Sequence, residues 1–470
     1  MAVASSFDES VLISGPSFHI GLAGLDARHP VHYSRRLLIF RCDSSRQRDA
    51  QLAALKSGLQ AVVLRCPALG GLVVPSPSIV ASNGKKDWRI IVPGDGIELV
   101  VRDHRTAIPS LKELEAANFP GSRLPYDLLV PIPHDLDNVR PFAASKVQFT
   151  AIEGGTILTW AMTQSFSDGQ GTNDLIRILS EETKFAQEHQ NEARSMTITP
   201  MVGLDRSVLR NIMSETPFNI KDHPAYKSDA STSPTPQSDQ KSHPFEATSP
   251  EIGVTLCISP ANLARLKADA TLLDAPPIST HDALSALIWR TVLLIRSRRS
   301  PSKDALPVSA TGSLFMPTDA RHHLHLPSSY IGNTVYQLHA KLELNTLFSP
   351  SGFKYAASAV RSAIKAINPA IVKSLMAETN ERWIDWAFIE VYSTTGVGMR
   401  TDWKGGKLYS QDWGKVFGPV IRARYPGSEG EAGNGVMPKL PDGGAEVDVA
   451  VMPTEVEFLK SEDGFGRYLN

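Results

Sequence analysis

The chain has 470 residues, of which 42% are apolar, and its 48 basic and 49 acidic side chains leave a formal net charge of −1. This length supports two domains with separate cores, and the balanced charge gives no electrostatic reason to expect nucleic acid or a membrane surface as partner. The three cysteines are few and scattered, which fits a reducing compartment. No apolar run approaches the ~20 residues that a membrane span needs, and the N-terminus lacks the basic stretch of a secretion signal. We therefore expect a cytoplasmic monomer without a disulfide framework.

The N-terminal half alternates patterns of strand and helix. Apolar residues recur at helical spacing over residues 48–67, where Pro67 ends the pattern, and again over 172–189. Apolar runs of strand length are found at 35–42, 88–92 and 97–103. Residues 146–165 predict a hairpin that turns at Gly154 and Gly155.

Residues 215–250 are rich in Ser, Pro, Thr, Asp and Lys and poor in aliphatic residues. Such a composition cannot bury enough apolar surface to order itself. It predicts a flexible crossover linker between an N-terminal domain, residues 1–214, and a C-terminal domain, residues 251–470.

The C-terminal half repeats the mixture. Its predicted helices are 259–270, 279–297 and a closing helix at 454–469, and its predicted strands are 332–344 and 386–395. Helices and strands mix without a regular βαβ rhythm. This favours an α+β architecture over a parallel doubly wound sheet.

The stretch "TQSFSDGQG", residues 163–171, joins the second hairpin strand to the following helix. Ser, Asp and Gly are turn residues for local reasons, so the stretch alone is most simply a turn. Other segments accompany it along nearly the whole chain: "LKSGLQAVVLRCPALGG" (55–71), "VQFTAIEGG" (147–155), "LSALIWR" (284–290), "DARHHLHLPSSYIGN" (319–333) and "QDWGKVFGP" (411–419).

In spacing and order these segments resemble the BAHD-type acyltransferases, in particular the fungal branch that includes the trichothecene acetyltransferases. Members carry a histidine-x-x-x-aspartate-glycine motif at the end of a strand in the first domain. They also carry an Arg…Pro…Tyr-x-Gly-Asn stretch and, in the second domain, an Asp-Phe-Gly type motif. The matching positions here are Asp168-Gly169, Arg321…Pro327…Tyr330-Ile331-Gly332-Asn333 and Asp412-Trp413-Gly414.

The resemblance implies a two-domain fold of the chloramphenicol-acetyltransferase type, with each domain a mixed sheet flanked by helices. Acyl-CoA and a small-molecule acceptor would enter a tunnel between the domains from opposite faces, and the family histidine would deprotonate the acceptor. It makes Asp168 a structural carboxylate paired with Arg321 and gives Asp412 a structural role. Thr401 and Trp403 stand where the family keeps a Thr-x-Trp that lines the tunnel near the thioester. No cofactor is implied beyond acyl-CoA as a possible co-substrate.

Gln164 stands where the family has its histidine. A primary amide accepts and donates hydrogen bonds but cannot take a proton near neutral pH. A positioned base contributes ~10²–10⁴ in rate. Because the surrounding motif is kept, we expect Gln164 to face the tunnel near Thr401 and Trp413. The candidate catalytic residues are Gln164, Thr401 and Trp403. An engineered replacement of the family histidine by Gln164 would leave the same pattern.

Two groups of histidines offer alternatives. His281, at the start of a predicted helix, would be a second possible base, but we expect that helix start to lie away from the tunnel centre. Residues 322–325 contain three histidines. Since no cysteine or carboxylate cluster accompanies them, we expect a solvated loop and no metal site.

Three hypotheses follow. The first is an acyl-CoA-dependent transferase acting on a fungal-type secondary metabolite, with Gln164 orienting the nucleophile. The second is an enzyme of the same fold repurposed for a cyclisation, rearrangement or isomerisation, in which the amide polarises a substrate carbonyl. The third is a non-catalytic binding protein. CoA binding separates the first from the second, and any substrate conversion separates both from the third.

Overall fold

The computed structural model describes residues 8–28, 33–74, 90–133, 141–189, 202–228, 251–299, 309–381, 384–386, 394–426 and 433–469. The strands are β1 Glu9–Ile13, β2 Ile20–Gly21, β3 Tyr33–Arg41, β4 Gly71–Val74, β5 Ile90–Pro93, β6 Ile97–Asp103, β7 Phe142–Ala143, β8 Ser145–Ile152, β9 Gly155–Thr163, β10 Tyr226–Ser228, β11 Ile252–Ile258, β12 Thr311–Asp319, β13 Val335–Glu343, β14 Ile384–Trp386, β15 Gly396–Thr401, β16 Arg422–Arg424, β17 Asn434–Val436 and β18 Ala445–Val451.

The helices are α1 Gly24–Arg28, α2 Ser45–Arg65, α3 Leu111–Ala116, α4 Tyr126–Leu129, α5 Gly169–Glu188, α6 Ser207–Arg210, α7 Pro260–Asp269, α8 Thr280–Arg298, α9 Leu344–Leu347, α10 Gly352–Ala366 and α11 Pro369–Glu381, with short helical turns at Gly414–Phe417 and Val456–Leu459. Among the described residues, no helix is long and apolar enough to cross a bilayer.

The first large sheet has the strand order β1-β6-β8-β9-β3-β16. Helices α2 and α5 pack against each other and bury their apolar faces in the core on this sheet. The predicted hairpin is present as β8 and β9, which pair antiparallel from Ile152 opposite Gly155. Gly154 forms the turn with a φ of +74°, a left-handed conformation that glycine adopts without steric cost.

The second large sheet has the order β11-β18-β17-β15-β12-β13. Strand β15 runs parallel to both β12 and β17, and the other pairs in this sheet are antiparallel. Helices α8 and α10 pack together, and their apolar residues join the core on this sheet. The described residues thus form two mixed sheets with helices on them, together with a four-stranded sheet and a two-stranded sheet.

The segment predicted as a flexible crossover is partly built into the fold. Strand β10 pairs antiparallel with β14. Tyr226 is buried in the core of the second large sheet, and His223 is fully buried between the hydroxyls of Tyr336 and Ser374. The expectation of disorder is therefore wrong for residues 215–228, because three aromatic side chains within them contribute apolar surface that the average composition hides. Residues 229–250 lie outside the described part of the chain.

Both cores cross the predicted domain boundaries. Strand β16 pairs with β3 and so extends the first sheet, and Trp413 and Phe417 are buried in its core. In return, Ala23, Leu25 and Leu209 lie in the core of the second sheet. Each half of the chain therefore completes the core of the other.

The closing segment and one predicted strand differ from expectation. The helix predicted at 454–469 is one turn, Val456–Leu459, followed by a tight turn and a 3-10 turn at Gly466–Tyr468. At Gly464 a Cβ atom would lie 2.4 Å from the carbonyl oxygen of Leu459, so the chain folds back where a helix would continue. Most of the strand predicted at 386–395 lies outside the described residues.

Candidate active site

The loop after β9 places Gln164 at the end of an apolar strand. The carbonyl of Thr163 accepts hydrogen bonds from the backbone N–H groups of Phe166 and Ser167, at 3.0 and 3.1 Å. Asp168 then caps α5, its Oδ1 accepting from the N–H of Gly171 at 2.9 Å. Gln164 is half-buried, and its side chain makes no hydrogen bond to another residue within the described ranges.

Asp168 and Arg321 form a buried, two-pronged ion pair. Nη1 of Arg321 lies 2.8 Å from Oδ2 of Asp168, and Nη2 lies 2.8 Å from Oδ1. The side chains are 4% and 2% exposed. Burial alone would lower the pKa of Arg321, but the adjacent Asp168 carboxylate outweighs it and raises that pKa above the usual range. The contact that the family resemblance implied is therefore present.

Arg321 also ties the segment after β12 to the loop. It donates to the carbonyls of Tyr330 and Gly332, at 2.7 and 2.8 Å. The backbone approaches so closely that a Cβ on Gly171 would lie 2.5 Å from the carbonyl oxygen of Ile331. Glycine at position 171 therefore allows the start of α5 to rest against this segment.

A second set of contacts, which the sequence did not reveal, holds the same loop from the other side. Oδ1 of Asp26 accepts from the N–H of Asn333 at 2.9 Å, and Nδ2 of Asn333 donates to the carbonyl of Gln164 at 3.4 Å. Nη2 of Arg206 donates to the carbonyl of Phe166 at 2.5 Å, and Arg206 lies 3.6 Å from Asp26. Burial raises the pKa of Asp26, and Arg206 partly offsets this. Only Asn333 belonged to a motif that could have signalled this role.

Thr401 and Trp403 stand together at the end of β15, beside the first turn of α8. Oγ1 of Thr401 lies 2.6 Å from Nε2 of His281. The rings of His281 and Trp403 are 6.3 Å apart between centroids. His281 was expected away from the site, and the structure places it against two of the three candidate catalytic residues instead.

Asp402, between those two candidates, connects this region to the elements that carry the loop. Its Oδ1 lies 3.0 Å from Nη2 of Arg36, on β3, and 3.4 Å from Nδ2 of Asn173, in the first half of α5. A Cβ on Gly169 would lie 3.7 Å from the same Arg36 nitrogen. The end of β15 and the motif loop therefore lie on the same side of the first sheet, joined by a buried ion pair.

Trp413 does not lie near Gln164, contrary to the prediction. It is fully buried and packs edge-on against Phe40, with ring centroids 5.3 Å apart. In the strand register Phe40 is opposite Thr156, whereas Gln164 follows Thr163, seven positions further along β9. Gln164 is thus eight positions from Thr156, which at ~3.3 Å per residue places it roughly 26 Å along the strand from the level of Phe40. The large apolar ring of Trp413 instead fills the core under α2 and α5.

The rest of the second-domain motif is a turn at the surface. Asp412 is 67% exposed and bonds to Lys184 at 2.7 Å, and its Oδ1 accepts from the N–H of Gly414 at 2.9 Å. The hydrogen bond from Lys184 holds the pKa of Asp412 below its usual value. A groove of about 410 Å³ opens beside it, lined by charged side chains of both signs from the second half of α5 and residues 407–412. This groove does not include Gln164, Thr401 or Trp403.

The histidines of residues 322–325 form a turn after β12. The rings of His322 and His323 lie 3.7 Å apart, and His325 has a φ of +55°. Within the part of the chain that is described, no group of three His, Cys, Asp or Glu residues is placed to hold a metal ion.

Comparison with known proteins identifies relatives along nearly the whole chain. Residues 33–182 match the trichothecene 3-O-acetyltransferase-like N-terminal domain. The enoyl-CoA isomerase/hydratase claC of Penicillium crustosum is 26% identical over 98% of this chain, which spans only 52% of that relative. The acyltransferase easC of Emericella nidulans is 25% identical, with 96% of this chain and 94% of the relative aligned.

A solved structure shares the fold. F. graminearum TRI101, complexed with coenzyme A and deoxynivalenol, superimposes with a TM-score of 0.80 at 21% identity, over 96% of this chain and 99% of the other. The two mixed sheets with their helices are therefore the α+β, two-domain chloramphenicol-acetyltransferase-like fold. The chain is an acyltransferase-fold enzyme that is similar, along nearly its whole length, to fungal acyltransferases of the trichothecene acetyltransferase kind.

Proposed function

We propose that this enzyme is an acyl-CoA-dependent transferase that acts on a fungal secondary metabolite, with Gln164 orienting the nucleophile. The proposal rests on the geometry of the loop at residues 163–171. The Arg321–Asp168 pair and Asn333 fix its backbone on two sides, while the side chain of Gln164 makes no hydrogen bond to any described residue. A loop held this firmly around a half-buried amide fits a site that positions a substrate. Full-length relatives named as acyltransferases add support.

The chemistry of an amide limits the acceptor. Gln164 can accept a hydrogen bond from an attacking group and donate one to a developing oxyanion, but it cannot hold the displaced proton. The acceptor is therefore an amine, a thiol or an acidic hydroxyl, or it loses its proton to another group. We propose an acyl-CoA as co-substrate with no further cofactor, and a monomeric cytoplasmic enzyme without nucleic-acid or membrane partners.

The second candidate is an enzyme of this fold repurposed for a cyclisation or isomerisation. The amide at position 164 favours it, because an N–H donor polarises a carbonyl without transferring a proton. Holding a flexible chain in a folded conformation would lower the entropic part of the barrier. The relative named as an enoyl-CoA isomerase/hydratase is consistent with such a change of reaction.

The test measures acetyl-CoA binding by calorimetry and CoA thiol release with a panel of an amine, a thiol, a phenol and a secondary alcohol. We expect acetyl-CoA to bind, and thiol release to depend on an acceptor. Free CoA should compete. A protein that does not bind acetyl-CoA but converts a polyketide or terpene substrate without thiol release would refute the transferase and support the second candidate.

A further inference from the structure

A hydroxyl and an imidazole meet in the candidate site at hydrogen-bonding distance. Oγ1 of Thr401 and Nε2 of His281 are 2.6 Å apart. This is within the 2.6–3.2 Å range at which a hydroxyl is activated by an adjacent base. Both residues are half-buried, so neither is sealed inside the core. With Nε2 unprotonated, the imidazole would supply the proton acceptor that the Gln164 amide cannot be.

The surrounding structure holds this pair in place. His281 lies in the first turn of α8, where Ser279 and Asp282 form a reciprocal cap: the N–H of Ser279 donates to Asp282 at 2.7 Å, and the N–H of Asp282 donates to Oγ of Ser279 at 3.2 Å. Arg361 donates to the same Asp282 carboxylate. The backbone that carries the imidazole is thus fixed from two directions.

Thr401, the other member of the pair, is connected to the strand and the helix that lie beside the motif loop. The residue after Thr401 is Asp402, which is buried and bonds to Arg36 on β3 and to Asn173 on α5. Asn173 lies five positions after Asp168 on the helix that the loop begins. Thr401 therefore lies where the end of β15 meets β3 and the helix that follows the motif loop.

We propose that Thr401 and His281 form a proton relay that replaces the base missing at position 164; the proposal rests on the transferase function above. The acceptor O–H or N–H gives its proton to Oγ of Thr401 as the Thr401 hydroxyl proton passes to Nε2 of His281. The acceptor atom attacks the thioester carbonyl, the C–S bond breaks, and CoA leaves as a thiolate. The imidazolium then returns the proton through Thr401 to that thiolate, so atoms and charge balance.

The first experiment compares His281→Gln and Thr401→Val with the wild-type enzyme in acceptor-dependent thiol release from acetyl-CoA. Each should lower kcat by ~10²–10⁴, the contribution of a positioned base, with acetyl-CoA affinity unchanged. Thr401→Ser, which keeps the hydroxyl, should retain most activity. The matched control is His104→Gln, which should behave as wild type: His104 follows β6, and its N–H donates to the carbonyl of Ala151 at 2.9 Å, at the end of the hairpin away from Gln164. A His281→Gln enzyme within twofold of wild type would overturn the relay.

A second measurement separates proton transfer from a merely structural role. Gln164→His in the His281→Gln background supplies a new imidazole and should restore transfer; failure to restore it in a folded, acetyl-CoA-binding protein would contradict the relay. Nitrogen-15 NMR of labelled histidine, assigned with the His281→Gln variant, should show Nε2 of His281 as an unprotonated acceptor. If wild type neither binds nor cleaves acetyl-CoA, the transferase proposal fails, and a protonated Nε2 separately overturns the relay.

Discussion

Removing the carboxylate of Asp168 tests the frame on which the site is built. In Asp168→Ala, Arg321 loses both hydrogen bonds of 2.8 Å. The N–H of Thr334 loses its acceptor at 3.0 Å, and α5 loses the N-cap contact to Gly171. The guanidinium stays buried. Its remaining counter-charge is Asp319, 3.0 Å from Nη1 and itself 27% exposed.

The expected cost follows from these contacts. Breaking a buried ion pair by removing one partner costs ~3–5 kcal/mol, and losing a helix N-cap costs ~1 kcal/mol. Since Asp319 compensates part of the charge, we expect a total loss in unfolding free energy of about 3–5 kcal/mol. In the double variant Asp168→Ala/Arg321→Ala the loss should be smaller than the sum of the single losses, because no unmatched charge remains.

The assay is urea unfolding followed by tryptophan fluorescence and circular dichroism. The control is Asp412→Ala, which removes an exposed carboxylate paired with Lys184. It should shift the midpoint little, because exposed ion pairs contribute little to stability. If Asp168→Ala unfolds at the same urea concentration as wild type, or if the single losses add fully in the double variant, the buried pair does not support the loop as argued.

Three further predictions concern stability. Trp413→Ala should lower the unfolding free energy by ~3–5 kcal/mol, measured in urea, by leaving a cavity beside Phe40, while the KM for acetyl-CoA stays unchanged. Gly171→Ala should cost at least ~1–3 kcal/mol and lower kcat, since its methyl would meet Ile331; a neutral result would refute that close approach. Burial lowers the pKa of His223 to about 4, so only the unfolded chain takes the proton between pH ~6.5 and ~4. Unfolding free energy should fall by roughly 1–3 kcal/mol as pH drops through that window, and His223→Gln should remove this dependence.

Local pattern was enough to predict most of the elements that position the site. The contact between Asp168 and Arg321, which only the family resemblance implied, is present. The hairpin of β8 and β9 and helices α2, α5, α7 and α8 agree with the structure. These features depend on hydrophobic period, on glycine in the turn and on motifs with defined spacing. The hydrophobic periodicity predicted a closing helix that is too long, because periodicity does not detect the chain reversal at Gly464.

The remaining site features depend on contacts between distant parts of the chain. Asp26 reaches the loop through Asn333, and His281 meets Thr401 across 120 positions. No local spacing encodes such pairs. The error over Trp413 has the same origin: its motif was taken to mark the site, while its ring packs at the opposite end of β9.

We propose that the loop still serves acyl transfer although Gln164 cannot accept a proton. The most direct measurement is thiol release from acetyl-CoA with a simple alcohol acceptor and with the native acceptor, by wild type, Gln164→Ala, His281→Gln and Gln164→His/His281→Gln. With the Thr401–His281 relay removed by His281→Gln, we expect Gln164→His to raise the rate by up to ~10²–10⁴ through an added base. We expect Gln164→Ala to lower turnover of the native acceptor by up to ~10²–10³ through loss of a hydrogen bond to developing charge. Native turnover unchanged in Gln164→Ala, or a Gln164→His/His281→Gln enzyme that binds acetyl-CoA without gaining transfer over His281→Gln, would contradict this proposal.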